Sequence, residues 1–289
     1  MSLLNNASDG DYSIIRNIIK TIMELDNSVI IDTLFAVCGA NVSITTAKKV
    51  GKKNIHDTLN TWQKLGLIGF NGTDVFLPED HRNKIINRKK FDEQKFKLLL
   101  TDILYLPANN KDFWSNEGGG SDDFTRGTTY LFARDVFNTK FENNEGEVNI
   151  IKNGNRRSAL IRWMYALGMM NSGNVADPTL LIKSYIRNVK VPGDYSLIEF
   201  VQELAERYPV LDGGAYRKTL ESKIVGSSYN LMDANQLSIS MSLALKRLRN
   251  QGLIQLILKA DSASLALTGK GGVPEASYSN VMILEDSKT

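Results

Sequence analysis

Four lysines, Lys48, Lys49, Lys52 and Lys53, stand just ahead of a segment in which Asn54, His56, Asn60 and Lys64 follow. Residues 56, 60 and 64 recur every fourth position, the spacing of one helix face. Cations at the start of a helix lie where free backbone N–H groups and the helix dipole also favour anions. Amide and imidazole groups along the face can bond phosphates or base edges. The chemistry offered is recognition of a phosphodiester, not bond breaking. A second cationic run, Arg82, Lys84, Arg88, Lys89 and Lys90, has only Glu79 and Asp80 as close acids. It reads either as a further phosphate contact or as a solvated charged linker. Arg156, Arg157 and Arg162 are a third group, suited to phosphate or to pairing with neighbouring acids.

Groups for catalysis are sparse. His56 and His81 are the only histidines and Cys38 the only cysteine, so paired-histidine or cysteine metal spacings are absent. No nucleophile motif surrounds Cys38 or any serine. The stretch Gly118-Gly119-Gly120-Ser121-Asp122-Asp123 lacks the Gly-Lys-Ser/Thr of a phosphate-binding loop. It reads as a flexible loop leading into a helix capped by Ser121, with the two acids favoured by the dipole. Asp122, Asp123 and Asp135 are a weak set for a metal. No catalytic residue, metal or cofactor is expected.

A length of 289 residues suggests two domains or three small ones. Apolar residues at 42% and charged residues at 23% exclude a disordered or low-complexity protein. One cysteine excludes an intramolecular disulfide. Thirty-five Lys+Arg against 32 Asp+Glu leave a charge of only +3, so any basic surface must be local. The first ten residues lack a signal's basic and apolar regions, and no uninterrupted run of ~18 apolar residues follows. A soluble cytoplasmic protein with no membrane partner is expected.

Three segments share a pattern that would position the candidate residues: an amphipathic helix, a glycine, then a short extended run. Counting back from Gly66, Leu65, Trp62 and Leu59 fall at −1, −4 and −7; from Gly168 the same offsets hold Leu167, Met164 and Ile161. Gly252 keeps Leu248 and Leu245 but has Gln251 at −1. Each glycine supplies the left-handed residue that ends the helix. At this spacing Trp62 and Trp163 read as core, and so does Cys38 on its apolar stripe. After Gly66, Asn71-Gly72 between apolar runs predicts a hairpin. After Gly252, Leu253–Lys259 and Ser264–Thr268 predict a second, across a turn at Ala260–Ala263. After Gly168 the hairpin is stunted. Tyr12–Glu24 and Val29–Cys38 read as helices ahead of the first pattern, and Asp194–Tyr208 and Gly214–Ile224 ahead of the third. Three helices followed by a hairpin is the winged-helix layout. The predicted fold is mostly α with small β-hairpins: a winged helix over 10–80, a helical middle domain over 81–192, itself a possible degenerate copy, a second winged helix over 193–270, and a mobile tail over 271–289. The last helix has few base-reading side chains and its wing tip carries Asp261, so this copy reads as a packing or dimerisation domain.

The opening Ser2-Leu3-Leu4-Asn5 with Ser8-Asp9-Gly10 resembles the DpdG family, as does Arg162-Trp163-Met164-Tyr165-Ala166-Leu167-Gly168 followed by Ala176-Asp177-Pro178-Thr179. The resemblance implies an accessory protein of bacterial clusters that insert 7-deazaguanine derivatives into DNA and restrict unmodified DNA. It implies ATPase, helicase or nuclease partners and carries over no catalytic residue. The combined expectation is a non-enzymatic subunit of a DNA modification and restriction complex acting in anti-phage defence. It would bind double-stranded DNA through the first winged helix and protein through the last. The alternatives are a purely protein-binding scaffold, a dimeric transcriptional regulator and an unrecognised nuclease.

Overall fold

The computed structural model describes residues 12–25, 28–41, 52–88, 90–105, 125, 127–129, 131–132, 142–143, 146–147, 154–173, 175–221, 235–269 and 272–285. These are mostly helical, with small antiparallel sheets. Two compact units organise the chain, one from residues 1–124 and 151–166, the other from 125–150 and 167–289. Residues 81–192 contribute to both. Among the described residues no helix is long and apolar enough to cross a membrane.

In the first unit, α1 (Tyr12–Glu24) buries Ile14, Ile15, Ile18, Ile19 and Ile22 along one stripe. A three-residue strand, β1 (Ser28–Ile30), leads directly into α2 (Ile31–Asn41), which buries Leu34 and Cys38. Then come α3 (Lys52–Lys64), β2 (Gly69–Asn71) and β3 (Asp74–Phe76). The first three helices pack on one another. The strands form an antiparallel sheet in the order β1-β3-β2, with buried Val75 opposite both Val29 and Phe70. The predicted hairpin therefore forms, Asn71 pairing with Asp74 across a Gly72-Thr73 turn. Only Gly72 of these two has positive φ (+61°), as a II′ turn requires. The sheet's third strand, β1, lies inside a segment whose pattern reads as helix.

The unit continues with α4 (Glu79–Ile85), a tight hairpin of β4 (Ile86–Asn87) and β5 (Lys90–Phe91), and α5 (Glu93–Tyr105). Asp92 starts α5, its carboxylate accepting the backbone N–H groups of Gln94 (2.9 Å) and Lys95 (3.0 Å). Arg16 and Tyr12 of α1 donate to Glu93, tying α1 to α5. The last helix of this unit, α6 (Gly154–Ala166), brings Trp163 against Trp62, with ring centroids 5.7 Å apart, and edge-on to Tyr12. Trp62, Trp163 and Cys38 are all buried, as their spacing predicts.

The second unit has a two-residue pair, β6 (Glu142–Asn143) with β7 (Gly146–Glu147), then α7 (Thr179–Val189), β8 (Gly193–Ser196), α8 (Leu197–Arg207), α9 (Ala215–Glu221) and α10 (Ile239–Asn250). It ends with β9 (Ile254–Ile257), β10 (Leu265–Thr268), β11 (Pro274–Tyr278) and β12 (Asn280–Ile283). The stunted hairpin is a single antiparallel bridge, Met170 with Ala176. The second predicted hairpin does not form: β9 pairs with β12, and β10 with β11. The predicted tail is likewise structured over 274–283. Two features cause both departures. A turn at Gly269–Gly272, with Gly272 at φ +82° and Gly269 N–H donating to the Val273 carbonyl, folds β11 back on β10. The alternation of β12 then buries Val281 and Ile283 between β8 and β9, giving the antiparallel order β8-β12-β9. Both units thus contain the order helix, strand, helix, helix, strand, strand, with the last of these strands in the middle of a three-stranded sheet. In the second, α9 and the β10–β11 hairpin are insertions.

A buried carboxylate sets the start of α10. Asp212 accepts from Arg217 (2.7 Å) and from the Ser238 N–H and hydroxyl (2.6 and 2.7 Å). Ser238 in turn caps the helix by accepting the Met241 N–H.

Candidate nucleic-acid interface

The third helix of the first unit is fixed from one side and open on the other. Ile55, Leu59 and Trp62 form its buried stripe. Its end is fixed by a Schellman motif: Gly66, at φ +80°, donates to Gln63 O, and Leu67 to Trp62 O, both at 2.9 Å. Gly252 at φ +69° closes α10 through the same pair of bonds, to Arg249 and Leu248. Gly168, two residues past α6, also lies at positive φ, +79°. All three predicted helix stops therefore hold.

The face of α3 opposite its core carries His56, Gln63 and Lys64 exposed and Asn54 and Asn60 half-buried. Asn60 Nδ2 lies 3.0 Å from His56 Nδ1. Asp57 Oδ1 stands 3.9 Å from the same nitrogen, too far for a hydrogen bond. Of the lysines ahead of the helix, Lys48 and Lys49 lie outside the described residues. Lys52 and Lys53 open α3, and only their backbone is described. α3 thus begins earlier than its apolar spacing indicates, and Lys52 and Lys53 lie in its first turn rather than ahead of it.

Arg82 and Lys84 are exposed on α4, Arg88 sits at the tip of the β4–β5 hairpin, and Lys90 is exposed on β5. Arg88 adopts φ +48°, unusual for a residue with a side chain and here imposed by the two-residue turn. Lys89 lies outside the described residues. The run is therefore a helix and a tight ribbon presenting cations, which its composition alone does not reveal. Arg156 and Arg157 lie in the first turn of α6, Arg157 exposed. His81, the other histidine, is engaged elsewhere: its Nδ1 lies 3.2 Å from the Leu67 carbonyl.

The corresponding helix of the second unit differs. On α10, Lys246 pairs with Glu275 of β11, Arg247 with Asp177, and Arg249 donates to the Tyr278 hydroxyl. The partners come from the inserted β11 and from the residue before Pro178. Sequence reasoning could not find them, because the β10–β11 pairing was itself unread. Asp261, expected at the tip of the second hairpin, lies instead between β9 and β10, which do not pair with each other, and is exposed at φ +58°.

Among the described residues no group of three or more His, Cys, Asp and Glu side chains is placed to hold a metal. Asp122, Asp123 and Asp135 lie outside them. Burial pushes the Cys38 thiol up from its ordinary range, while a contact from Thr21 opposes this.

With this geometry in hand, a family model for DpdG-like proteins matches residues 1–262. The chain belongs to the DpdG-like family. No curated protein and no solved structure matches it. Membership in the DpdG-like family points to an accessory role in a DpdG-type system and fits the setting of 7-deazaguanine modification clusters. The DpdG-like match takes in α3, the α4–β5 cations and α10. It stops before β10, β11 and β12.

Proposed function

We propose that this chain is a cytoplasmic, non-enzymatic DNA-binding subunit of a DNA modification and restriction complex. In this reading both units are winged helices. Support comes from the shared order of elements and from sheets in which the last strand lies between the first and second. The first unit lays α3 in the major groove, with His56, Asn60 and Lys64 toward the bases and Lys48, Lys49, Lys52 and Lys53 on phosphates. Arg82, Lys84, Arg88, Lys89 and Lys90 extend the backbone contact, and Arg156 and Arg157 are further candidates. The second unit docks the other protein subunits, an ATPase, helicase or nuclease among them. The observation that carries the reading is the contrast between two equivalent helices. The polar face of α3 is open, whereas the cations of α10 are engaged within their own unit.

Duplex binding measured across a salt series tests it. Four lysines on phosphates correspond to a slope of about −3.6 in log K against log salt. Replacing Lys48, Lys49, Lys52 and Lys53 by alanine should lower the affinity and make the slope shallower by about that amount. Unchanged affinity in this variant would remove the mechanism. The second reading, a protein-binding scaffold, is favoured by the engaged cations of α10 and by the low net charge. Absence of any salt-sensitive duplex binding would select it.

A further inference from the structure

We infer that His56 and Asn60 form a reading pair for adenine, with Asn60 contacting the base and His56 positioning it. This rests on the proposed placement of α3 in the major groove. The two side chains stand one turn apart on the open face, with His56 exposed and Asn60 half-buried. At 3.0 Å the Asn60 amide donates to His56 Nδ1, which requires that ring nitrogen to be unprotonated and places the imidazole proton on Nε2. An asparagine amide has two N–H donors and one carbonyl oxygen. One donor is occupied by His56. In the reading pair His56 takes the N–H on the Cβ side, so that the other N–H and the oxygen are left side by side, with the amide plane held by the ring.

That remainder is a donor next to an acceptor. Adenine presents the complementary pair in the major groove, an N7 acceptor and an N6 amino donor. Guanine presents two acceptors, N7 and O6, and its O6 would face the amide oxygen. Cytosine and thymine do not present this adjacent pair. A free asparagine can turn its amide about to suit either arrangement, whereas one held by His56 cannot. Gln63 and Lys64 follow on the next turn of the same face and do not touch the pair in any described contact.

The test is selection of binding sites by the full chain from a library of randomised duplexes, with four proteins: unaltered, Asn60→Ala, His56→Ala and His56→Gln. Glutamine at 56 can still accept from an amide four residues on. The expected result is adenine favoured at one position by roughly 5- to 150-fold, the range of a bidentate contact. The preference should vanish in Asn60→Ala, weaken in His56→Ala and persist in His56→Gln. Replacing that adenine by its 7-deaza analogue should cost the unaltered protein affinity and leave Asn60→Ala indifferent. Duplex binding without adenine preference, or a preference unaltered in Asn60→Ala, overturns the reading pair and leaves the groove placement standing. Equal preference in all three of the unaltered, His56→Ala and His56→Gln proteins overturns the role of His56. No duplex binding at all overturns both this inference and the proposed function. Both positions lie on the open face, and circular dichroism checks that each variant is folded.

Discussion

Trp62 tests whether the aromatic residues of α3 and α6 belong to the core or to a stacking surface. Its side chain is fully buried, its ring tilted 51° against Trp163, which in turn meets Tyr12 edge-on at 6.0 Å. Truncation to alanine removes a whole buried indole, a change that costs ~3–5 kcal/mol, including the aromatic pairing. Phenylalanine should do much better. The Trp62 Nε1 makes no hydrogen bond among the described residues, so Trp62→Phe forfeits none. Its cost is confined to lost volume, about 1–2 kcal/mol. Urea unfolding of both variants reads the difference as a shift in midpoint at constant slope. The core assignment would be refuted by a Trp62→Ala midpoint equal to that of the unaltered protein, above all if duplex binding were lost. That pairing of results would make the indole a platform for bases. Equal damage from alanine and phenylalanine would show instead that the indole N–H has an acceptor.

Three further expectations concern stability. Gly66→Ala places a side chain at φ +80° where nothing crowds it, so backbone strain alone should cost ~1–2 kcal/mol, partly recovered by Gly66→Asn and visible in thermal melting. Asp212→Ala removes the carboxylate that meets buried Arg217 and the Ser238 cap, and should cost ~3–5 kcal/mol in urea titration, whereas loss of under ~1 kcal/mol would show the pair to be dispensable. Burial works to raise the Glu93 carboxyl, but Arg16 outweighs it and holds the group below the usual glutamate range. Its stabilising effect is therefore complete above the ordinary carboxylate pKa and disappears as the pH falls through the lowered one. Glu93→Gln should flatten the stability profile as the pH falls below the ordinary glutamate pKa of about 4.3, and an identical profile in both proteins would show that this carboxylate has no part in it.

Helix ends and helical stripes were legible because each is a local signal. The isoleucines of α1, the three terminating glycines and the hairpin signalled by Asn71-Gly72 sit where their spacing puts them, the turn itself falling at Gly72-Thr73. Strands β1 and β8 were not legible. They are three and four residues long, too short to establish an alternation, and each abuts a helix whose apolar pattern absorbs it. The strands after Gly252 were misassigned for a different reason. Two neighbouring extended runs look like a hairpin, and only a later strand, β12, with Val281 opposite Leu256 of β9, decides otherwise. On the candidate interface, residue types identified α3, but the bond between Asn60 and His56 and the engagement of Lys246 and Arg247 depend on three-dimensional neighbours. The ribbon geometry of Arg88 and Lys90 was hidden because a charge run has no periodicity to read.

The central position of β12 has a consequence for biosynthesis. A ribosome delivers β8 and β9 well before residue 283 emerges, and until then neither strand has its neighbour in the sheet. The nascent second unit must wait with two open edges, a state prone to pairing with other chains. A chain cut at residue 262 would retain all of the family-matched sequence and still be held in that waiting state. Choosing where to end an expressed fragment by sequence kinship alone would therefore yield an aggregating product, whereas extending it through Leu284 would let the unit close.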